Sequence, residues 1–424
     1  MNRFIVEGGH RLHGHVQPAG NKNAALPMMA AALLTEETVE LENVPDILDV
    51  HSMLDLLGAL GVQADWVGPG HLALKAGDAR AVALEAAQTA RIRASILIAG
   101  PMLARAGQIR LPPPGGDVIG RRRLDTHFEA LQHLGAEVEL GEEFVLRGKL
   151  RGADIFLDEP SVTATENAVM AAVLAPGTTT LRNAATEPHV QDLCRLLVDM
   201  GAHIEGIGTH ALHIEGVERL SGGRARVSPD HIEIGSFVGL AAVTRSELTI
   251  GDVIPEHLAI VRIMFERLGV FCILEGSTLR VPADQSMEIR TDVGGQIPKI
   301  DDGPWPLFPA DLTSIALVVA TQCRGTILIH EKMFESRMFF SDKLIAMGAR
   351  IVLCDPHRAV VVGPARLRGS VVESPDIRAG MAILIAALGA EGRSEIHNIG
   401  QIERGYERID ARLRELGAAI ERVD

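Results

Sequence analysis

Apolar and polar positions along this chain follow a long cycle. A bulky apolar residue, then Gly, then a small or β-branched residue recurs at Leu60-Gly61-Val62, Leu134-Gly135-Ala136, Met200-Gly201-Ala202, Leu268-Gly269-Val270, Met347-Gly348-Ala349 and Leu416-Gly417-Ala418. The spacing is about 70 residues, longer than the common solenoid periods. An amphipathic run precedes the glycine, as over 50–60, so the pattern predicts a helix with one face outward and Gly as its left-handed C-cap. A second feature falls between these marks. A stretch of small apolar residues ends in a polar turn and opens into an alternating segment. It is clear at 24–34 into 38–41, 167–174 into 178–181, 236–243 into 248–250 and 314–320 into 326–329, and weaker at 94–104 into 108–111 and 381–390 into 394–396. Helices apolar around most of their surface are expected inside a ring of sheet. After each LG[AV] mark the pattern predicts two short strands around a turn, as at 203–205 and 211–215. The chain therefore reads as six copies of one unit: small-residue helix, strand, amphipathic helix, hairpin.

Length and composition refine this picture. The 424 residues exceed one typical core, so two domains are expected, with a crossing near 227–233. Only 3% of residues are aromatic and 43 are glycine, so the core must be filled by Ala, Leu, Val and Ile at close backbone approach. A net charge of −14 argues against a general nucleic-acid binder. The four cysteines, Cys194, Cys272, Cys323 and Cys354, form no CxxC pair and suit free thiols in a reducing compartment. The N-terminus lacks the apolar core of a signal peptide, and runs such as 381–390 are too short to span a bilayer. A cytoplasmic protein without membrane insertion is the expectation.

Candidate chemistry lies in the connections. No Walker A, GxGxxG, GxSxG or HExxH pattern is present, which disfavours an NTPase, a nicotinamide enzyme, a serine hydrolase and a zincin. His10, His13 and His15 read as an exposed strand rather than a ligand set, and Cys354 to His357 as a turn. The basic residues say more. Gly20-Asn21-Lys22-Asn23 leads into a helix, and a lysine beside free helix N–H groups suits a phosphate. Gly115-Gly116-Asp117-Val118-Ile119-Gly120 precedes Arg121, Arg122 and Arg123, and glycines with forked guanidinium donors suit an anion that must be enclosed. Arg404 precedes Gly405, while Arg93, Arg337 and Arg378 each stand where a loop meets a helix. Any one of these charges alone reads as a solvated surface residue; their recurrence beside glycine turns suggests an enzyme for small anionic substrates.

On these residues the sequence resembles the UDP-N-acetylglucosamine 1-carboxyvinyltransferases of the EPSP synthase superfamily. The matching motifs are Gly20-Asn21-Lys22-Asn23-Ala24-Ala25-Leu26-Pro27, Pro114 to Gly120 with Arg122, Asp125 and His127, then Phe308-Pro309-Ala310-Asp311, Phe334-Glu335-Ser336-Arg337 and Arg404-Gly405-Tyr406-Glu407-Arg408-Ile409. They run in family order along essentially the whole chain.

The resemblance implies an α/β fold, the inside-out α/β barrel, in two domains of three units each. One would hold residues 21–229, the other 1–20 and 230–424, with the active site in the cleft between them. It implies transfer of the enolpyruvyl group of phosphoenolpyruvate to the 3′-hydroxyl of UDP-N-acetylglucosamine, the first committed step of peptidoglycan synthesis, with no metal or organic cofactor. By resemblance Lys22, Arg122 and Arg404 hold the phosphoenolpyruvate phosphate, and Arg337 and Arg378 its carboxylate. Asn23 and Asp311 contact the sugar. Arg93, Arg122, Arg123, Leu124, Asp125, Thr126, Ser161, Val162, Thr163 and Met333 serve the sugar nucleotide. Asp311 is the general base, Lys22 and Arg404 belong with the catalytic group, and the 115–123 loop is a lid. Related readings are an enolpyruvyl transferase for a nucleotide or shikimate 3-phosphate, and an inactive sugar-nucleotide-binding paralogue.

The chain also departs from the family pattern. Asp117 stands where the common member has Cys, so the general-acid role passes to a carboxyl, and fosfomycin, which alkylates that Cys, is expected not to inactivate this protein. A free thiol is protonated at neutral pH and a free aspartic carboxyl is not, so the role needs burial beside anions, which the nearby arginines oppose. The alternative is that Asp117 shapes the loop or assists product release. Asn21 replaces the usual Ala, Arg123 a Pro, Glu159 a Lys found in some relatives, and Ser336 an Asn.

Overall fold

A computed structural model describes residues 2–423 of the chain. Two compact units emerge from its contacts. One comprises 20–117 and 122–228. The other comprises the described residues up to Ala19, the short segment Val118–Arg121 and everything from Pro229 on. Each has its own apolar core, with no residue shared.

In the unit that contains the C-terminal half, the helices His231–Thr244, Thr313–Gln322 and Ile377–Gly389 each pack on the other two. All fourteen residues of His231–Thr244 are buried, as its lack of a polar face requires. The amphipathic helices Pro255–Arg267, Ser341–Ala346 and Ile409–Glu415 bury only part of their surface. In the other unit the inner elements are Lys22–Ala31, the turn Arg93–Ile98 with the helix Ala99–Ala106, and Val162–Ala172. The break at Ala99 shows why that copy looked weak in sequence: the inner element is half 3-10 and half α.

The six predicted glycine caps are all left-handed, with φ of 97°, 109°, 102°, 74°, 107° and 96° at Gly61, Gly135, Gly201, Gly269, Gly348 and Gly417. The hairpins follow five of them, for example Gln63–Gly68 with His71–Lys75 and Ile351–Asp355 with Arg358–Gly363. The sixth expectation of two strands is corrected. After Gly417 the described chain forms one strand, Ala419–Val423, and the missing partner is Arg3–Glu7, which lies antiparallel between it and Arg393–His397. The opening strand thus completes the last repeat.

Sequence periodicity also gave three strands per unit, whereas among the described residues five of the six sheets have four. The extra strand is parallel to the one that follows each inner helix, as Asp154–Phe156 is to Thr178–Arg182. Two of these extra strands come from distant sequence: His13–Val16 lies along Glu247–Ile250, and Gly223–Arg226 along Thr38–Glu42. His13 and His15 are exposed on the first of them. A three- or four-residue parallel strand carries no strong period of its own, which is why these strands escaped the repeat pattern, although the stretch read as an exposed strand does contain His13–Val16, with His10 outside it.

Among the described residues, no helix is long and apolar enough to cross a membrane. Several acidic side chains are buried away from the candidate site, Glu166 among them. Glu166, in the helix Val162–Ala172, is fully buried, and its Oε1 has no hydrogen-bond partner among the described residues. Burial, then the Glu187 carboxyl, pushes its pKa well above the ordinary 4.5. The folded chain therefore keeps a proton that the unfolded chain loses above that pH. The sign follows from linkage: this contribution is fully present below about pH 4.5 and is lost as pH rises toward the folded-state value. Melting curves from acid to neutral pH should show it. Glu166→Gln should flatten the decline by up to about 1.4 kcal/mol per pH unit within that window, and an unchanged slope would show that Glu166 is ionised.

Candidate active site

The C-terminal unit gathers three of the expected residues around one carboxylate. Asp311 stands in the turn Ala310–Leu312 that opens the helix Thr313–Gln322. Arg337 begins the turn Arg337–Phe340, and Arg378 is the second residue of the helix Ile377–Gly389. Arg337 Nη2 donates to Asp311 Oδ1 at 3.0 Å, and Arg378 Nε to Oδ2 at 3.1 Å. The two guanidiniums are 3% and 4% exposed against 26% for Asp311, so the acid is the accessible member of the trio.

The helix start is fixed by Asp376, whose side chain accepts from the Arg378 and Ala379 N–H groups at 2.8 and 2.9 Å. Arg378 also lies over the Tyr406 ring at 5.3 Å, and the Tyr406 hydroxyl meets Ser236 Oγ at 2.9 Å. Gly405 packs so closely on Ile377 that a Cβ would strike its side chain. That contact brings Arg404, which donates to Gln401 at 2.9 Å, beside the start of the Arg378 helix. Burial alone would lower the pKa of Arg378, but Tyr406, Asp311 and Asp230 outweigh it. Likewise Asp311, Glu331 and Asp376 outweigh burial at Arg337. Both guanidiniums are therefore firmly charged. Even so, Arg337 Nε and Nη1 and Arg378 Nη1 are buried without a hydrogen-bond partner among the described residues. Unsatisfied buried donors on fixed cations suit a planar carboxylate ligand.

The segment Val118–Arg121 belongs to this unit. The Ser336 N–H donates to the Ile119 carbonyl at 3.1 Å, and the Arg121 N–H to Glu335 Oε1 at 2.8 Å. Gly120 has φ 128° and faces Glu335 with no room for a Cβ. Val118 is 91% exposed, whereas Met333 is partly exposed at 38% on the neighbouring segment.

The other unit holds the remaining expected residues in two groups. Asn21 caps the helix Lys22–Ala31, its side chain accepting from the Ala24 N–H at 3.1 Å. This explains how Asn serves in place of Ala there. Lys22 and Asn23 then open the helix, with Lys22 Nζ 3.2 Å from Asp49. In the second group, Gly115 is pressed against Ala90 and donates to the Thr89 carbonyl at 3.2 Å, and Asp117 is half-buried two residues on. Arg93 donates to the carbonyls of Arg122 and Arg123. Burial, then the Arg122 charge, pushes the pKa of Arg93 down to about 10. Thr163 Oγ1 lies 3.0 Å from His127 Nε2, and Asn167 Nδ2 lies 2.9 Å from His127 Nδ1. Asn167 also donates to the Ile96 carbonyl and accepts from the Gly100 N–H, so its amide orientation is set and Nδ1 must accept. His127 is thus a neutral Nε2–H tautomer. Burial, then Arg93 and Arg122, pushes its pKa down to about 3. This imidazole ties the Arg122–Thr126 stretch to Ser161, Val162 and Thr163 at the start of the helix Val162–Ala172.

Arg123 is engaged on the surface, paired with Asp125 at 3.1 Å and Asp158 at 2.9 Å, while Thr126 donates to Asp158 at 2.6 Å. Leu124 is half-buried ahead of the helix Asp125–His133. Asp49 and Asp376 were not singled out in sequence, and Glu335 stood there within a motif without a role. Asp376 had a signal, an acid two residues ahead of a candidate helix arginine. Asp49 had a fainter one, an acid in the first turn of an amphipathic helix.

Among the described residues, no group of three or more His, Cys, Asp or Glu is placed to hold a metal ion. Comparison with known proteins places the chain among the enolpyruvyl transferases, whose inside-out α/β barrel it shares. Residues 6–413 match the family model described as EPSP synthase (3-phosphoshikimate 1-carboxyvinyltransferase). Two solved structures share the fold. One is the enolpyruvyl transferase NikO from Streptomyces tendae, with TM-score 0.88 and 23% identity over 100% of this chain and 99% of that one. The other is EPSP synthase from Acinetobacter baumannii, with TM-score 0.77 and 17% identity over 100% of both. Sequence relatives are more specific. A UDP-N-acetylglucosamine 1-carboxyvinyltransferase of Bradyrhizobium diazoefficiens is 61% identical over 99% of this chain and 98% of its own, and one of Treponema denticola is 57% identical over 99% of both. The chain belongs to the UDP-N-acetylglucosamine 1-carboxyvinyltransferase family.

Proposed function

We propose that this chain transfers the enolpyruvyl group of phosphoenolpyruvate to the 3′-hydroxyl of UDP-N-acetylglucosamine and releases phosphate. Family membership supports the reaction class. The observation that carries the residue assignment is the pair of buried, charged guanidiniums on Asp311, with three nitrogens that have no hydrogen-bond partner among the described residues. Arg337 and Arg378 take the phosphoenolpyruvate carboxylate with those donors. Lys22, Arg122 and Arg404 take its phosphate. Arg93, the Arg122–Thr126 stretch, the Ser161–Thr163 helix start and Met333 take the sugar nucleotide, whose diphosphate relieves the repulsion between Arg93 and Arg122. Asn23 and Asp311 orient the sugar.

Asp311 removes the 3′-hydroxyl proton as the oxygen attacks C2 of phosphoenolpyruvate, and Asp117 delivers a proton to the methylene carbon. The resulting tetrahedral ketal loses phosphate and a methyl proton to restore the double bond. Fixed cations lower the barrier by holding both anionic groups without reorganisation.

Phosphate release from phosphoenolpyruvate, measured with and without UDP-N-acetylglucosamine, tests this. Release that requires the sugar nucleotide is expected. Release only with shikimate 3-phosphate or another nucleotide would reassign the acceptor, and none with any acceptor would leave a binding protein.

A further inference from the structure

Behind Arg337 lie two carboxyl groups that the proposed chemistry does not use. Asp302 and Glu331 are both fully buried. Asp302 follows the strand Lys299–Asp301, and Glu331 follows its parallel neighbour Gly325–His330, so pairing of those strands brings the two acids side by side. Their backbones are pinned: Asp302 N–H donates to the His330 carbonyl at 3.3 Å, and Glu331 N–H to the His357 carbonyl at 2.8 Å. One oxygen of each is satisfied. Glu331 Oε1 accepts from the Phe334 N–H at 3.1 Å, and Asp302 Oδ1 from the Lys332 N–H. The other two, Glu331 Oε2 and Asp302 Oδ2, have no hydrogen-bond partner among the described residues. Two ionised carboxylates can only accept, so neither can satisfy the other. A single proton between them turns one into a donor and removes both deficits.

Charge leads to the same place. Glu331 Oε2 is 3.7 Å from Arg337 Nε, outside hydrogen-bond reach, and Arg337 already serves Asp311. The groups facing the pair are Arg337 and the Thr313 hydroxyl, with Asp376 beyond Arg337, Lys332 bound to Asp301 alongside, and His330 and His357 at the strand ends. Arg337 pairs with Glu331 at 3.7 Å but shares its charge with Asp311, and Lys332 is bound to Asp301. Burial, with Asp302 adding to it against the pull of Arg337, raises the pKa of Glu331 far above the carboxylate range. The raised pKa of Arg337 draws partly on an ionised Glu331, which conflicts with that protonated state. The orphaned oxygens favour the protonated one.

We propose that Asp302 and Glu331 form a buried carboxyl pair sharing one proton, and that Glu331 is a positioning residue which, held neutral, leaves the Nε and Nη1 donors of Arg337 open to an anionic ligand. Ionised, Glu331 is a rival carboxylate for Arg337. The identity of that ligand as the phosphoenolpyruvate carboxylate rests on the proposed function; the shared proton does not.

Two measurements on the full-length protein separate these claims. In infrared difference spectra at neutral pH, wild type minus Glu331→Gln should contain the carbonyl stretch of a protonated carboxyl, and wild type minus Asp302→Asn should contain it too. Absence of the band from both overturns the pair whether or not the protein is active. In kinetics, Gln mimics the protonated acid, so Glu331→Gln should keep kcat and KM within about twofold. Glu331→Ala should raise the KM for phosphoenolpyruvate by about tenfold or more while the KM for UDP-N-acetylglucosamine changes little, because a displaced guanidinium loses its aim. The wild-type KM for phosphoenolpyruvate should climb on the alkaline side, and that of Glu331→Gln should stay flat. A Gln variant as impaired as the Ala variant, or an alkaline climb that persists in it, overturns the positioning role. If wild type releases no phosphate, the proposed function fails while the infrared comparison still decides the carboxyl pair.

Discussion

Asp311→Asn is expected to lower kcat by about 10²- to 10⁴-fold, the usual scale for losing a general base, without raising the KM for phosphoenolpyruvate. The second half of that expectation comes from the geometry. The Asp311 carboxylate accepts from Arg337 and Arg378 at 3.0 and 3.1 Å. An amide of the same shape keeps one acceptor oxygen but carries no charge and takes no proton from a hydroxyl. Both guanidiniums are then less committed, so an incoming carboxylate meets equal or stronger attraction. A structural role alone predicts something different: two buried cations without a counter-ion cost stability, and both KM values deteriorate together. Steady-state kinetics with each substrate varied, alongside a melting curve, distinguishes the cases. A kcat within about threefold of wild type would remove Asp311 from the base role.

The second large effect concerns the 115–123 loop. Fosfomycin is expected to leave the wild-type protein active after prolonged incubation, with no adduct at Asp117, because a carboxyl oxygen is a much weaker nucleophile than the thiol sulfur this electrophile captures. Asp117→Cys should retain turnover and become subject to time-dependent inactivation, with one adduct by mass. The native thiols give a clean background. Cys194 and Cys323 are buried, Cys272 is half-buried, and burial pushes all three up to about 12, so they stay protonated and unreactive at neutral pH. Cys354 is exposed and lies in the strand Ile351–Asp355. Labelling there without loss of activity would be harmless to the prediction. Covalent labelling of wild-type Asp117 would refute it, and an Asp117→Cys variant with no turnover would deny the two side chains a shared acid role.

Much of the fold was legible because it is periodic. A glycine that must take φ near 100° to end a helix leaves a mark every 70 residues or so, and helices with no polar face announce their burial. Of the two weaker copies in sequence, the one around residues 94–111 is irregular in space, with a 3-10 turn and a three-stranded sheet, whereas the one at 381–396 is a regular helix and strand. The candidate site was legible in part. Lys22, Arg93, Arg122, Arg337, Arg378 and Arg404 stood out as cations beside glycine turns or helix starts. Asp302, Glu331 and Asp376 did not, since an isolated acid in a strand end or cap looks like any solvated one.

By itself, then, the sequence determined the repeat, the two classes of helix, the family and the cations. These are local quantities: each depends on residues within one helix or one turn. Only the tertiary structure decided which distant strands complete each sheet, Arg3–Glu7 in the last repeat and His13–Val16 and Gly223–Arg226 elsewhere. It alone set Arg337 and Arg378, 26 and 67 residues from Asp311, on the same carboxylate. It alone buried Glu331 against Asp302. Charge and hydrogen-bond satisfaction are properties of the packed interior, where a proton or a partner must come from whatever the fold brings within reach.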